Sequence, residues 1–294
     1  MKKTFLAIAL MATLGVNAQI LNVGTTTKVA VPENVKVSTA QLSHDGKWVV
    51  ISRQSSVGLD KLDLATSKMT RISDTGIGFD LRIAGDNKTV IYRESELRDN
   101  NRRYTTLKSV NVASGLTSTV SGATRNTFAF AADAARVLSA NAGSRTSEAL
   151  RPVASINRGR LCVTVNGVTN VIAPQGTTGQ SYLWPSVSPD GKKVLYYLCG
   201  EGAFVCNLDG SNPVSVGMMR APKWYNNNIV VGMHDEDNGD YVTGSKLVAS
   251  SVDGKVKQDL TQVSSMAMYP SVAANGSKVS FVTPAGELFI LNIK

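Results

Sequence analysis

The chain has only two histidines and three cysteines among its 294 residues, and each shortage removes a class of chemistry. Cys162, Cys199 and Cys206 show no metal-ligand spacing. There is no Gly-x-Ser-x-Gly elbow, no His-Glu-x-x-His motif, no phosphate-binding glycine loop and no dinucleotide fingerprint. No Lys/Arg run resembles a nucleic-acid motif, so the formal net charge of +9 speaks for solubility and anionic partners, not for nucleic acid. After the first 18 residues no stretch is apolar for long enough to cross a bilayer, so the protein is not expected to be membrane-embedded. No segment shows convincing helical periodicity over about ten residues or more.

What is present begins with a leader. Lys2 and Lys3 precede a short apolar run at 5–12, and Val16-Asn17-Ala18 offers small residues at the two positions a signal peptidase reads. Residues 1–18 therefore read as a cleaved signal peptide. Gln19 stands where a lipoprotein would need cysteine, so a soluble periplasmic or secreted protein is expected.

The rest of the chain repeats itself. The turn Ser188-Pro189-Asp190-Gly191 sits between two apolar runs, and weaker copies recur about every 40 to 50 residues. Six segments align on it: 42–51, 83–92, 130–138, 187–196, 224–231 and 272–281. Asp, Asn and Gly suit such turns, which makes Asp45, Asp86, Asp133 and Asp190 turn-formers. The Val-, Ile-, Leu- and Tyr-rich runs that follow suit strands buried on both faces. Second hairpins follow at 63–72, 110–120, 165–172, 208–214 and 252–256, several with Asn-Gly or Asp-Gly pairs. Each unit is thus four antiparallel strands, a to d, and radial repetition of such sheets makes a β-propeller. The Ala-rich stretch 129–135 falls at a strand–turn–strand position. The last unit lacks strand d, and the spare N-terminal segment 20–31 can supply it, closing the ring and removing exposed edges. The expectation is an all-β protein: a six-bladed β-propeller of four-stranded antiparallel blades, in a single domain over 19–294.

Ser-Pro-Asp-Gly-Lys-Lys-Val at 188–194, followed by Leu-Asp-Gly-Ser at 208–211, resembles the repeat of the TolB-type, WD-repeat-like propeller family. The likeness covers residues 20–294, although the copies at 126–173 and 221–261 are degraded. It implies a six-bladed propeller and an exported binding role. The α/β domain that precedes the propeller in TolB has no counterpart here, so TolB's partners do not carry over. The same repeat builds the propellers of prolyl oligopeptidase-like peptidases, but no hydrolase domain follows.

Propeller geometry puts the a–b and c–d turns on one face, and the b–c and d–a connections on the other, around the channel mouth. Three b–c connections stand out: 93–104, with Arg98, Arg102 and Arg103; about 141–157, with Arg145, Arg151 and, just beyond, Arg158; and 234–240, with His234, Asp235, Asp237, Asn238 and Asp240. They are either solvated loops or a rim whose charges steer a partner. Oxygens of Asp235, Asp237, Asn238 and Asp240 could hold Ca²⁺, although the spacing is not that of an EF-hand; no other cofactor is expected. At the entry to strand a, Trp184 stands level with Thr39, Asp80, Thr127, Ala221 and Tyr269. Trp184, Tyr269 and Asp80 are thereby candidate binding residues at the channel mouth. The competing reading is that the aromatics plug the channel. Trp48 and Trp224 lie inside strands and read as core.

His44, in an a–b turn, and His234, in a b–c connection, fall on opposite faces and cannot share a site. Asp80 is the one carboxylate placed at the channel. The expected function is a non-enzymatic exported scaffold of the cell envelope whose loop-rich face meets an envelope protein, peptidoglycan or another glycan. The alternative is a Ca²⁺-dependent hydrolase centred on the channel; a third reading is a purely structural module. Cys199 and Cys206 flank a hairpin turn, and its length decides between a disulfide and two small buried hydrophobes.

Overall fold

The computed structural model describes residues 19–54, 57–76, 81–140, 150–176 and 180–294, so the leader, Asp80 and Arg145 lie outside the described residues. The chain opens with β1 (Val23–Lys28). Blade 1 follows as β2 (Val37–Leu42), β3 (Trp48–Arg53), β4 (Val57–Asp63) and β5 (Met69–Gly76). Blade 2 is β6 (Arg82–Ile83), β7 (Thr89–Leu97), β8 (Arg103–Asn111) and β9 (Thr117–Thr124). Helix α1 (Phe130–Ala140) comes next, then blade 3 as β10 (Val153–Asn157), β11 (Arg160–Val165) and β12 (Val168–Ile172). Blade 4 is β13 (Tyr182–Val187), β14 (Lys193–Leu198), β15 (Gly202–Asn207) and β16 (Val214–Gly217). Blade 5 is β17 (Arg220–Trp224), β18 (Ile229–Asp237), β19 (Val242–Ser251) and β20 (Lys257–Asp259). Blade 6 holds β21 (Met268–Val272), β22 (Lys278–Val282) and β23 (Leu288–Ile293).

Blades 1 to 5 are antiparallel meanders, and in blade 6 β1 pairs antiparallel with β23 as the outer strand. The six-bladed propeller is therefore closed by its own N-terminal strand, as the repeat demanded. Each apolar core lies between two blades rather than within one. Val49, Leu62 and Val282 share one such layer, Tyr182, Tyr196 and Leu161 another, and Leu195, Val205 and Val230 a third. This is why strands such as β14 are buried on both faces, from Val194 to Leu198. Trp48 is core, as expected, and Trp224 is half-buried against the blade 4 layer. Among the described residues no helix is long and apolar enough to cross a membrane.

Blade 3 departs from the expected pattern. Residues 130–140 form a helix, not a strand–turn–strand, and among the described residues the blade has three strands. Alanine has the highest helix propensity, and Phe130, Ala131, Ala134 and Ala135 make one buried face. That face fits between blades: Phe130 and Ala134 pack on Ile91 and Leu107 of blade 2, and Ala131 and Ala135 on Val153 of blade 3. Asp133 is thus no turn-former. It lies in the first helical turn, accepting from Ser121 and Arg136, where a negative charge complements the helix dipole.

The other turn aspartates behave as expected. Asp45 accepts from Ser43 Oγ and Lys47 N, Asp86 from Lys88 N and Thr89 N, and Asp190 from Ser188 Oγ and Lys192 N. The following glycines Gly46 and Gly191 take φ of 67° and 75°, which other residues adopt at a cost. These a–b turns also suture neighbouring blades. His44 N donates to Asn87 Oδ1 (2.7 Å), Asn275 N to His44 O (3.0 Å), Asp190 N to Asn227 Oδ1 (3.0 Å) and Tyr225 Oη to Gly276 O (2.6 Å).

The suture ring sets a pH dependence. Burial holds the His44 imidazole below its ordinary value; Arg151 adds to this, while the Ile83 carbonyl and the charges of Asp86 and Asp45 oppose it. Burial alone would raise Asp45 and Asp86, but donated hydrogen bonds outweigh it and hold both carboxyls low; for Asp190 the Ser188 hydroxyl is the main cause of the lowering. A depressed folded pKa gives stability above the unfolded value that is lost as pH falls through the folded one. Stability is therefore expected to fall in two stages on acidification, first below about pH 6.5 from His44 and then below about pH 4 from the aspartates. Urea unfolding of wild type and His44→Gln between these limits checks it, because the variant should lose the first stage alone.

The cysteines are free. Leu198 pairs with Gly202 and Val194 with Cys206, so Cys199 sits exposed in the turn while Cys206 is buried well along β15. The turn is too short to bring the two sulfurs level.

Candidate functional site

The first strands of neighbouring blades approach one another around the axis, β13 with β17, and β17 with β21. In each of these three strands the backbone breaks register at the aligned position. Trp184 and Pro185 stand opposite Tyr196 alone, Ala221 and Pro222 opposite Gly232, and Tyr269 and Pro270 opposite Phe281. The leading residue is left-handed in all three, with φ of 47° at Trp184, 46° at Ala221 and 51° at Tyr269. A β-bulge re-aims its side chain and bends the strand. Proline fits there because a bulge leaves no ladder bond for its missing N–H. Bulky residues with positive φ are uncommon, at a cost of about 1–2 kcal/mol each, so the surrounding packing holds them.

Trp184 packs on Tyr197, with ring centroids 5.3 Å apart, and the Arg220 guanidinium lies over it at 5.8 Å. Arg220 is held in turn. Its Nη1 donates to Asp235 Oδ2 at 2.6 Å, and Ser245 Oγ donates to Asp235 Oδ1 at 2.7 Å. Asp235 is nearly buried, its side chain 8% exposed, so it acts as the anchor of Arg220. Beside this pair Leu183 and Met218 are exposed, and His234 Nδ1 lies 2.7 Å from Met218 O. Trp184 with its anchored arginine, and His234 on the Met218 carbonyl, thus lie where blade 4 passes into blade 5, with Leu183 and Met218 exposed. Tyr269 is half-buried and lines a separate groove of about 360 Å³ with Val37, Val242, Met266, Met268 and Pro284. The two aromatics therefore serve neighbouring features, and the ring partner of Trp184 is Tyr197.

The rim differs from the sequence expectation. Residues 93–104 and 234–240 are largely strand, forming the extended hairpins β7–β8 and β18–β19. Arg98 pairs with Glu96 and stacks over Tyr104 at 4.2 Å, while Arg102 and Arg103 stay exposed at the hairpin tip. Tyr241 and Leu97, also at these tips, are each 67% exposed. In blade 3 the b–c connection is the two-residue turn Arg158-Gly159, not a long loop. Arg151 sits on the opposite face, where its Nη2 donates to Pro189 O at 3.2 Å in the a–b turn of blade 4. The helix takes the place of the expected turn, and residues 150–152 enter strand b of blade 3 from the side of the turns.

The acidic residues are spread among separate tasks. Asp235 holds Arg220, and Asp237 accepts from Gly239 N within the hairpin turn, where Asp240 N donates to Asn238 Oδ1. Among the described residues no three His, Cys, Asp or Glu side chains come together as a metal site would require. Arg220 and its anchor had no local signal in the sequence, since the partners lie 15 positions apart. The bulges did have one: the pairs Trp-Pro, Ala-Pro and Tyr-Pro recur at one repeat position.

The fold is that of a TolB-type β-propeller. A putative TolB from Agrobacterium tumefaciens superposes with a TM-score of 0.53 at 14% identity, covering 90% of this chain and 91% of that one. TolB from Acinetobacter baumannii gives 0.54 at 14% identity, covering 78% of this chain and 55% of that one. An oligogalacturonate lyase in complex with manganese gives 0.49 at 13% identity, covering 88% and 78%. No family model and no curated protein matches the sequence.

Proposed function

We propose that the chain is an exported, non-enzymatic scaffold of the cell envelope, in the periplasm or secreted, that grips a protein partner with its loop-rich face. The observation that carries this reading is the Trp184–Arg220 pair on its bulge. Tryptophan and arginine are the side chains that most often dominate protein interfaces, and here both are fixed before any partner arrives. Asp235 spends part of the arginine's charge, the bulge aims the tryptophan, and Leu183 and Met218 offer apolar area beside them. Pre-set side chains lose less freedom on binding. The opposite face has its turns committed to one another. The export step rests on the leader read from residues 1–18.

The test is a quantitative pull-down from envelope extract with wild type, Trp184→Ala/Arg220→Ala and, as a control on the other face, Lys192→Ala. The double variant is expected to lose its enriched partner at least about tenfold, in line with truncation of two interface anchors, while the control keeps it. Equal recovery by all three proteins would overturn the reading.

A further inference from the structure

A second concavity on the loop-rich end of blade 1 is built differently. It has a volume of about 410 Å³ and is walled by Lys36, Arg53, Gln54, Arg71 and Asp74, with Gly58 among its lining residues. Under it lies Asp60, whose side chain is only 2% exposed. Asp60 Oδ2 accepts from Arg53 Nε at 2.9 Å and from Arg71 Nη1 at 3.4 Å, and Arg53 Nη2 lies 3.4 Å from Oδ1. Arg71 Nε also reaches Asp74 Oδ1 at 2.9 Å.

We propose that this cavity binds the oxyanion of a small ligand, a carboxylate or a phosphate. Three cations, Lys36, Arg53 and Arg71, face two carboxylates, Asp60 and Asp74, which leaves one positive charge uncompensated. Asp60 occupies only part of each guanidinium fork, and an arginine has five donors. The N–H groups not taken by Asp60, Asp74 or the Ser73 carbonyl belong to two partly exposed arginines that line the cavity, held in place from beneath by a buried carboxylate. This is the preset geometry in which arginine recognises pairs of carboxylate or phosphate oxygens. Lys36 has no carboxylate partner among the described residues, so it is not needed for the network. Gly58 makes room for it all. Its φ is 96°, and a Cβ there would stand 2.2 Å from Arg71 Nη1. Gln54 is also a wall of the Tyr269 groove, so a ligand anchored here can extend toward the axis. The site is independent of the Trp184–Arg220 surface and stands or falls without it.

Titration calorimetry of the purified protein at low salt tests the proposal, with inorganic phosphate in one arm and glucuronate in the other. Saturable one-to-one binding of either probe is expected, and the arm that saturates names the oxyanion. Lys36→Glu reverses an exposed charge and is expected to weaken that binding at least about tenfold with unchanged thermal unfolding, and added salt should weaken it in wild type. Absence of saturation in both arms, or equal affinity of Lys36→Glu, would overturn it.

Discussion

A chain lacking residues 19–30 is expected to lose cooperative folding and to self-associate. Two separate contacts would go. The first is the β1–β23 pairing, which runs from Val23 with Ile293 to Lys28 with Phe289. Without it β23 becomes an open edge beside apolar Phe289 and Leu291, a template for pairing with another chain. The second is the clasp upstream of β1. Leu21 is 5% exposed in the core between blades 5 and 6, and Ile20 N and Leu21 N both donate to Gln258 Oε1 at 2.8 Å, while Gln258 Nε2 returns a bond to Leu21 O at 2.9 Å. Loss of the Leu21 side chain alone is worth about 2–5 kcal/mol. Light scattering after size exclusion, with a thermal scan, decides the matter. A monodisperse truncated monomer with the wild-type midpoint would show that closure contributes nothing.

Asp60→Ala is expected to destabilise the protein by about 3 kcal/mol in urea unfolding. Removing one partner of a buried ion pair costs about 3–5 kcal/mol because the other charge is left without compensation. The low end applies because the Arg53 and Arg71 side chains keep 25% and 35% exposure and can recover some hydration. Asp60→Asn keeps the volume and one acceptor oxygen, so its loss should be smaller. A change below about 1 kcal/mol for the alanine variant would place this network with ordinary surface pairs.

The architecture was legible because its markers are local. A polar Asp- or Asn-led turn between apolar runs has the same chemistry wherever it occurs, and aligning six segments on the Asp190-Gly191 copy counted the blades and exposed the spare strand. The third copy misled for the opposite reason. Its Ala-Ala-Asp-Ala-Ala run matched the turn in position, yet its small buried face suits a helix wedged between two sheets. That one substitution of element moved Arg151 to the other face. The candidate site was only partly legible. Trp184 and Tyr269 could be placed near the axis by their level in the repeat, and the proline after each is the one local trace of the bulge. Arg220, Tyr197 and the anchoring role of Asp235 depend on pairings between strands and blades, which no local pattern announces.

The β1–β23 pairing has a kinetic meaning as well. Asn292 Nδ2 bonds Thr25 O across 267 positions of chain, whereas every other blade is a meander of sequence neighbours. Such a distant contact is costly in loop entropy until the blades between have formed. Blade assembly and ring closure are therefore separate events in time. The hairpins can form one after another as chain becomes available, but the circle locks only when the last strand meets the first, so no shorter stretch of the chain carries the finished boundary of the molecule.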